Sequence, residues 1–261
     1  MRQDSLSKHF EAIGARVKFG PLKRPRWPRN GQLAPYTIDI KRDRQGPFFD
    51  FGLTDRAPEF EVLQVVPKER HLLLFTSEGE RFLCGHDERQ WFVAELAETV
   101  STVRAAKRAL MPAAILERAG SIKPLKLDNR RNVVFKRQGE WFFVPAERDL
   151  SGQTILRNEP LMRNGRSKPH WCEELVRIGG QTVYLFGGRE YTEEELREQF
   201  RRKPRLRLIM SRETRIADAE VYVRGHVRHP DHATIVLEGW HRVMINRERP
   251  AGHSSRIVFL D

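Results

Sequence analysis

Residues 220–246 read Glu-Val-Tyr-Val-Arg-Gly-His-Val-Arg-His-Pro-Asp-His-Ala-Thr-Ile-Val-Leu-Glu-Gly-Trp-His-Arg-Val-Met-Ile-Asn. Apolar residues alternate with polar ones from Val221 to Val227, the two-residue period of a half-buried strand. His229-Pro230-Asp231 holds turn residues, Thr234 to Leu237 returns as a second strand, and Glu238-Gly239 predicts another turn into Trp240 to Asn246. The segment is therefore all β. Arg224, His226 and Arg228 fall on alternate positions and project from one strand face.

Similar signals recur on the N-terminal side. Tyr36–Ile40, Phe48–Phe51, Phe60–Val66 and Gln90–Ala94 read as strands, and His71–Phe75 with Arg81–Cys84 reads as a hairpin. Val133–Phe135 and Glu140–Val144 flank Arg137-Gln138-Gly139 as another hairpin. Thr182–Phe186 is a strand, and Arg256–Leu260 predicts a last strand at a sheet edge. Helices are few. Residues 3 to 13 are amphipathic and stop at Gly14, and Glu95 to Leu110 is alanine-rich and charged. Pro169 to Ile178 reads as a helix capped by Ser167, with the stretch from Ser151 to Lys168 before it a loop. Thr192-Glu-Glu-Glu195 opens a helix with a capping box, and its arginine-rich last turn suits the macrodipole. The expected fold class is α+β: two mixed domains of antiparallel sheets with a few short helices, 1–120 and 121–261.

Composition narrows the function classes. The 261 residues carry 47 Lys and Arg against 35 Asp and Glu, a net charge of +12, which favours polyanionic partners. No apolar run reaches membrane-spanning length, and the start lacks a secretory signal, so a cytoplasmic protein without a membrane partner is expected. Two cysteines cannot build a disulfide framework or a cysteine-rich zinc module. Arg24, Arg26 and Trp27 lie in a proline-rich basic arm (16–35) suited to phosphate contact and base stacking, or equally to a solvated connector with Trp27 tucked into the core. Arg205 and Arg207 form another basic cluster.

Three constellations hold candidate chemistry. Cys84, His86, Asp87 and Glu88 place a thiol, an imidazole and two carboxylates in a strand-end turn, as metal ligands or as an ordinary polar turn. Arg163, Arg166 and Lys168 precede the expected helix from Pro169, whose N-terminus would gather an anion. His170 there would stay neutral as a hydrogen-bond donor or general base, oriented by Glu174 four residues on, beside the plainer reading of an ordinary capped helix with a solvated basic loop. His226, His229 and His232 with Asp231 offer transition-metal ligands, yet His226 faces away from His229 on a hairpin, which strains a site made from this segment alone. Metal-independent RNA cleavage by His226 and His241, with Arg224 or Arg228 for the phosphorane, fits the segment better, beside the plainer reading of a polar hairpin tip. No motif requires a cofactor, and a divalent metal is the one possible addition.

Four strings, Arg70–Leu74, Leu83–Val93, Gly139–Pro145 and Tyr222–His232, resemble an uncharacterised family of bacterial hypothetical proteins. The resemblance implies a bacterial, intracellular setting and assigns no catalytic residue. The expected function is nucleic-acid binding, with RNA or single strands favoured because no helix-turn-helix, zinc-finger or basic-zipper signature is present. The alternatives are a nuclease or phosphoryl-transfer enzyme, and an accessory subunit for an acidic protein partner.

Overall fold

A computed structural model describes residues 3–22, 35–121, 123–162, 168–186, 189–205 and 214–247. The chain divides into two compact units, one reaching to Leu116 and joined by Arg247, the other covering Glu117–Asn246. Both are α+β, built mainly of antiparallel sheets with short helices, as expected.

The first unit begins with helix α1 (Gln3–Ala12), then strands β1 (Val17–Pro21), β2 (Tyr36–Asp43) and β3 (Gly46–Leu53), with β1 parallel to β3 and β2 antiparallel to it. A four-stranded meander follows: β4 (Phe60–Val66), β5 (His71–Thr76), β6 (Arg81–Asp87) and β7 (Gln90–Leu96). Strand β5 is apolar at consecutive positions because both its faces are covered. Leu72 and Leu74 join Phe10, Phe49, Phe51 and Cys84 in one core, while Leu73 joins Leu83, Val103 and Ala106 in another. Helix α2 (Val103–Ala109) is capped by Thr102, so the helix expected from Glu95 starts later, and Glu95 and Leu96 complete β7. Helix α3 (Ala113–Arg118) follows Pro112.

In the second unit, short helix α4 (Pro124–Leu127) leads to β8 (Lys136–Gln138), β9 (Trp141–Pro145), β10 (Leu156–Leu161) and β11 (His170–Ile178). A side sheet of β12 (Gln181–Phe186), β13 (Arg189–Thr192) and β14 (Thr214–Ala217) carries helix α5 (Glu193–Arg202), whose Thr192–Glu195 capping box is formed. Strands β15 (Glu220–His229) and β16 (His232–Ile245) complete a main sheet of order β10-β11-β15-β16-β9-β8. Trp141, Phe143, Cys172, Leu175, Val223, Val227 and Leu237 form its core.

Four local expectations are corrected. Residues 170–178 form a strand, because Cys172 and Leu175 bury into the sheet core between β10 and β15, a register no isolated helix would satisfy. Residues 156–161 of the expected loop form the edge strand β10 beside it. The hairpin at Gly139 is formed by Lys136–Gln138 instead of Val133–Phe135, and Val133 is 78% exposed. Glu238-Gly239 makes no turn. Strand β16 runs through it, and the register shift opposite Val223–Gly225 marks a bulge with Gly239 at φ 77°. A bulge bends its strand. The far half of β16 carries β9 and β8 back toward the β15–β16 tip, where Lys136 Nζ reaches Val236 O and Gln138 reaches Ala233 O. Leu206–Met210, whose sequence suits either a strand or a continuation of basic helix, and the expected strand Arg256–Leu260 lie outside the described residues.

Candidate metal centre

Pro230 and Asp231 close the β15–β16 hairpin in two residues, so His229 and His232 stand directly opposite one another. On the other side of β15, the antiparallel register Trp171↔Arg228 brings His170, the first residue of β11, beside His229. Three neighbouring strands thus contribute one imidazole each at the same end of the sheet. The rings are inclined to one another by 23°, 30° and 20°, with centroids 4.2 Å apart for His170–His229, 4.5 Å for His229–His232 and 5.5 Å for His170–His232. One donor nitrogen from each falls within 4.8 Å of the others, and the group could hold a metal ion.

The surroundings are tightly defined. His170 is 2% exposed, and burial, followed by the His229 and His232 rings, lowers its pKa to about 2; His229 is lowered mainly by burial as well. Neutral imidazole is the form that ligates metals. His170 Nδ1 lies 2.8 Å from Oε1 of buried Gln138. His229 Nδ1 accepts the Asp231 N–H at 3.1 Å, and Asp231 in turn receives Lys168 Nζ at 2.6 Å. Trp141 meets the His170 ring edge-on at 6.2 Å, and its buried Nε1–H has no hydrogen-bond acceptor among the described residues. Gly139, at φ 58°, closes one side: a Cβ there would fall 2.9 Å from His232 Nε2. Three imidazoles suit zinc, copper, nickel or iron rather than magnesium or calcium. Metal bound at His229 Nδ1 would take the place of the Asp231 N–H.

The other expected site residues are distributed differently. Glu174 does not orient His170. Four residues along a strand is about 13 Å, against one turn on a helix. Glu174 instead accepts Arg224 Nε at 2.7 Å and pairs with Arg157 at 3.5 Å. Because β11 is a strand, the helix N-terminus expected to gather an anion does not exist. Lys168 is exposed and paired with Asp231, and Arg163 and Arg166 lie outside the described residues, as do Arg24, Arg26, Trp27 and Arg207. Arg205 is exposed beyond α5.

His226 and His241 are not aligned for acid–base catalysis. His226 is exposed opposite Val236 and bound to Glu173 at 2.6 Å, whereas His241 is buried opposite core residue Val223 with Nδ1 3.0 Å from Gly239 O. Arg224, His226 and Arg228 do share a strand face, and carboxylates or amides meet them there: Glu174, Glu173 and Asn158 respectively.

Cys84, His86, Asp87 and Glu88 form no donor group among the described residues. The Cys84 thiol is wholly buried in the first unit's core and its pKa is pushed up by that burial. His86 packs edge-on against Trp91 at 4.9 Å, Asp87 is buried, and Glu88 takes φ 50° in the hairpin turn. The missed combination was His170 with His229 and His232. Its one local signal was the His-Pro-Asp-His spacing, which places two imidazoles across a tight hairpin; the third ligand was hidden by reading its strand as a helix.

No family model, curated protein or solved structure matches the chain.

Proposed function

We propose that the second unit is a transition-metal-binding module in which His170, His229 and His232 hold a divalent ion of the zinc class. The observation that carries this reading is the convergence of three imidazole donors from three strands within 4.8 Å. No fourth His, Cys, Asp or Glu joins the group among the described residues, so the ion would keep a coordination position for water or another small ligand. Protein freed of any affinity tag and stripped with chelator should take up one equivalent of Zn(II) in equilibrium dialysis. Cobalt(II) should give the visible absorption of a nitrogen-ligated tetrahedral or five-coordinate site. His170→Ala and His229→Ala should each weaken binding at least 100-fold. Stoichiometric zinc binding that survives the triple alanine variant defeats the proposal.

A second reading, contact with single-stranded nucleic acid, is favoured by one surface feature. Trp171 is 38% exposed on β11, directly opposite exposed Arg228, on a chain with net charge +12. An exposed ring beside a guanidinium suits base stacking with phosphate contact. Anisotropy titration of a labelled single-stranded RNA should show affinity falling with salt and weakening in Trp171→Ala. Salt-independent binding, or none, removes this reading. The same RNA incubated with and without EDTA tests cleavage.

A further inference from the structure

We infer that Gln138 is a positioning residue that fixes the tautomer of His170 and thereby decides which ring nitrogen is offered to a metal. The inference rests on reading the three histidines as a metal centre, and it concerns a side chain outside the ligand set.

The argument follows from hydrogen-bond direction. Gln138 is wholly buried at the end of β8. Its amide nitrogen reaches two backbone carbonyls, Ala233 O at 2.7 Å on β16 and Val227 O at 3.3 Å on β15. Carbonyl oxygens only accept, so the NH2 group must face them; the flipped amide would set three oxygens against one another. The side-chain oxygen is therefore the atom that faces His170 Nδ1 at 2.8 Å, and it too can only accept. His170 must donate from Nδ1. In a neutral imidazole that leaves Nε2 as the only lone pair. His170 is 2% exposed, an environment that disfavours a doubly protonated, charged ring.

The arrangement matches what metal-ligating histidines use, an acceptor on the far nitrogen that locks the ring and raises the basicity of the ligand nitrogen. Here the acceptor is a neutral amide, itself held by the two strands that carry His229 and His232. A Cβ on Gly139, the next residue, would fall 2.9 Å from His232 Nε2. The tight turn between β8 and β9 thus lies beside both His170 and His232.

The test uses the full chain, labelled with nitrogen-15 and stripped of metal. Long-range proton–nitrogen spectra should show His170 with Nδ1 protonated and Nε2 bare. In Gln138→Leu the ring should shift toward the Nε2–H tautomer, and Zn(II) affinity should fall about 10- to 100-fold. Circular dichroism melting verifies that the variant is folded; if it is not, the native spectrum alone decides. Finding Nε2–H on His170 in the native protein overturns the inference, and so does unchanged zinc affinity in a folded Gln138→Leu variant. Native protein that binds no zinc but shows protonated Nδ1 sinks the metal reading while supporting the tautomer assignment, so the two fail separately.

Discussion

His170 illustrates how one side chain's surroundings decide its chemistry. Removed from water and stacked against two other imidazoles, it has a pKa near 2 in place of the usual 6.5. A base whose folded pKa lies below its unfolded value is protonated first in the unfolded chain. Its stabilising contribution is complete well above pH 6.5 and is lost as the pH falls through the unfolded value toward the folded one. Urea denaturation in chelator should therefore show stability declining from pH 7 to pH 5, and a flat profile would contradict the burial of His170. The thiols give a second check at this scale. Burial raises the pKa of both cysteines, Cys172 to about 12, so neither is a thiolate near neutral pH. Ellman's reagent should find no reactive thiol in native protein and two after denaturation; a fast-reacting native cysteine would restore Cys84 as a candidate nucleophile. From sequence, His229 and His232 were visible as a pair of imidazoles but not as partners of His170, because a side chain's neighbours across strands depend on register.

Among the elements, the α5 start shows a local rule succeeding where its cause is local. The α5 capping box satisfies orphan amides within four residues: Thr192 Oγ1 accepts Glu195 N–H at 3.2 Å, and Glu195 Oε2 accepts Thr192 N–H at 2.8 Å. Thr192→Ala should cost about 1 kcal/mol, read as a lower midpoint in chemical denaturation, and an unchanged midpoint would show that the helix does not depend on its cap. The β8–β9 turn is equally specific. Gly139 takes a left-handed φ of 58°, and a methyl group there would press on His232. Gly139→Ala should lose about 1–2 kcal/mol from the backbone alone and weaken Zn(II) binding; full zinc affinity in this variant would place the metal elsewhere. Strand β11 is where local reasoning failed. Ser167, Pro169 and the glutamates at 173 and 174 imitate a helix start, yet pairing on both sides and burial of Cys172, Leu175 and Val176 outweigh that preference.

Across the whole chain, the described residues of the main sheet do not present the +12 charge as an open row of cations. Arg148 and Arg242 share Glu220, Arg224 and Arg157 share Glu174, and Lys168 meets Asp231. Exposed pairs of this kind add about 0–1 kcal/mol each to stability, but they cancel the local field a phosphodiester would feel. RNA affinity at this sheet should therefore depend on Trp171 and Arg228 more than on Arg224: in anisotropy titrations Arg228→Ala should weaken binding more than Arg224→Ala, and the reverse order would count against that surface. The sequence by itself determined the α+β class, most strand positions, the α5 cap and the net charge, because alternation, turn chemistry and capping act between residues a few positions apart. Only the tertiary structure decided that residues 170–178 are a strand, that β16 runs on through a bulge at Gly239, and that His170 stands beside His229 and His232. Those outcomes depend on which distant strands pair and in what register, a free energy shared between segments and carried by none of them alone.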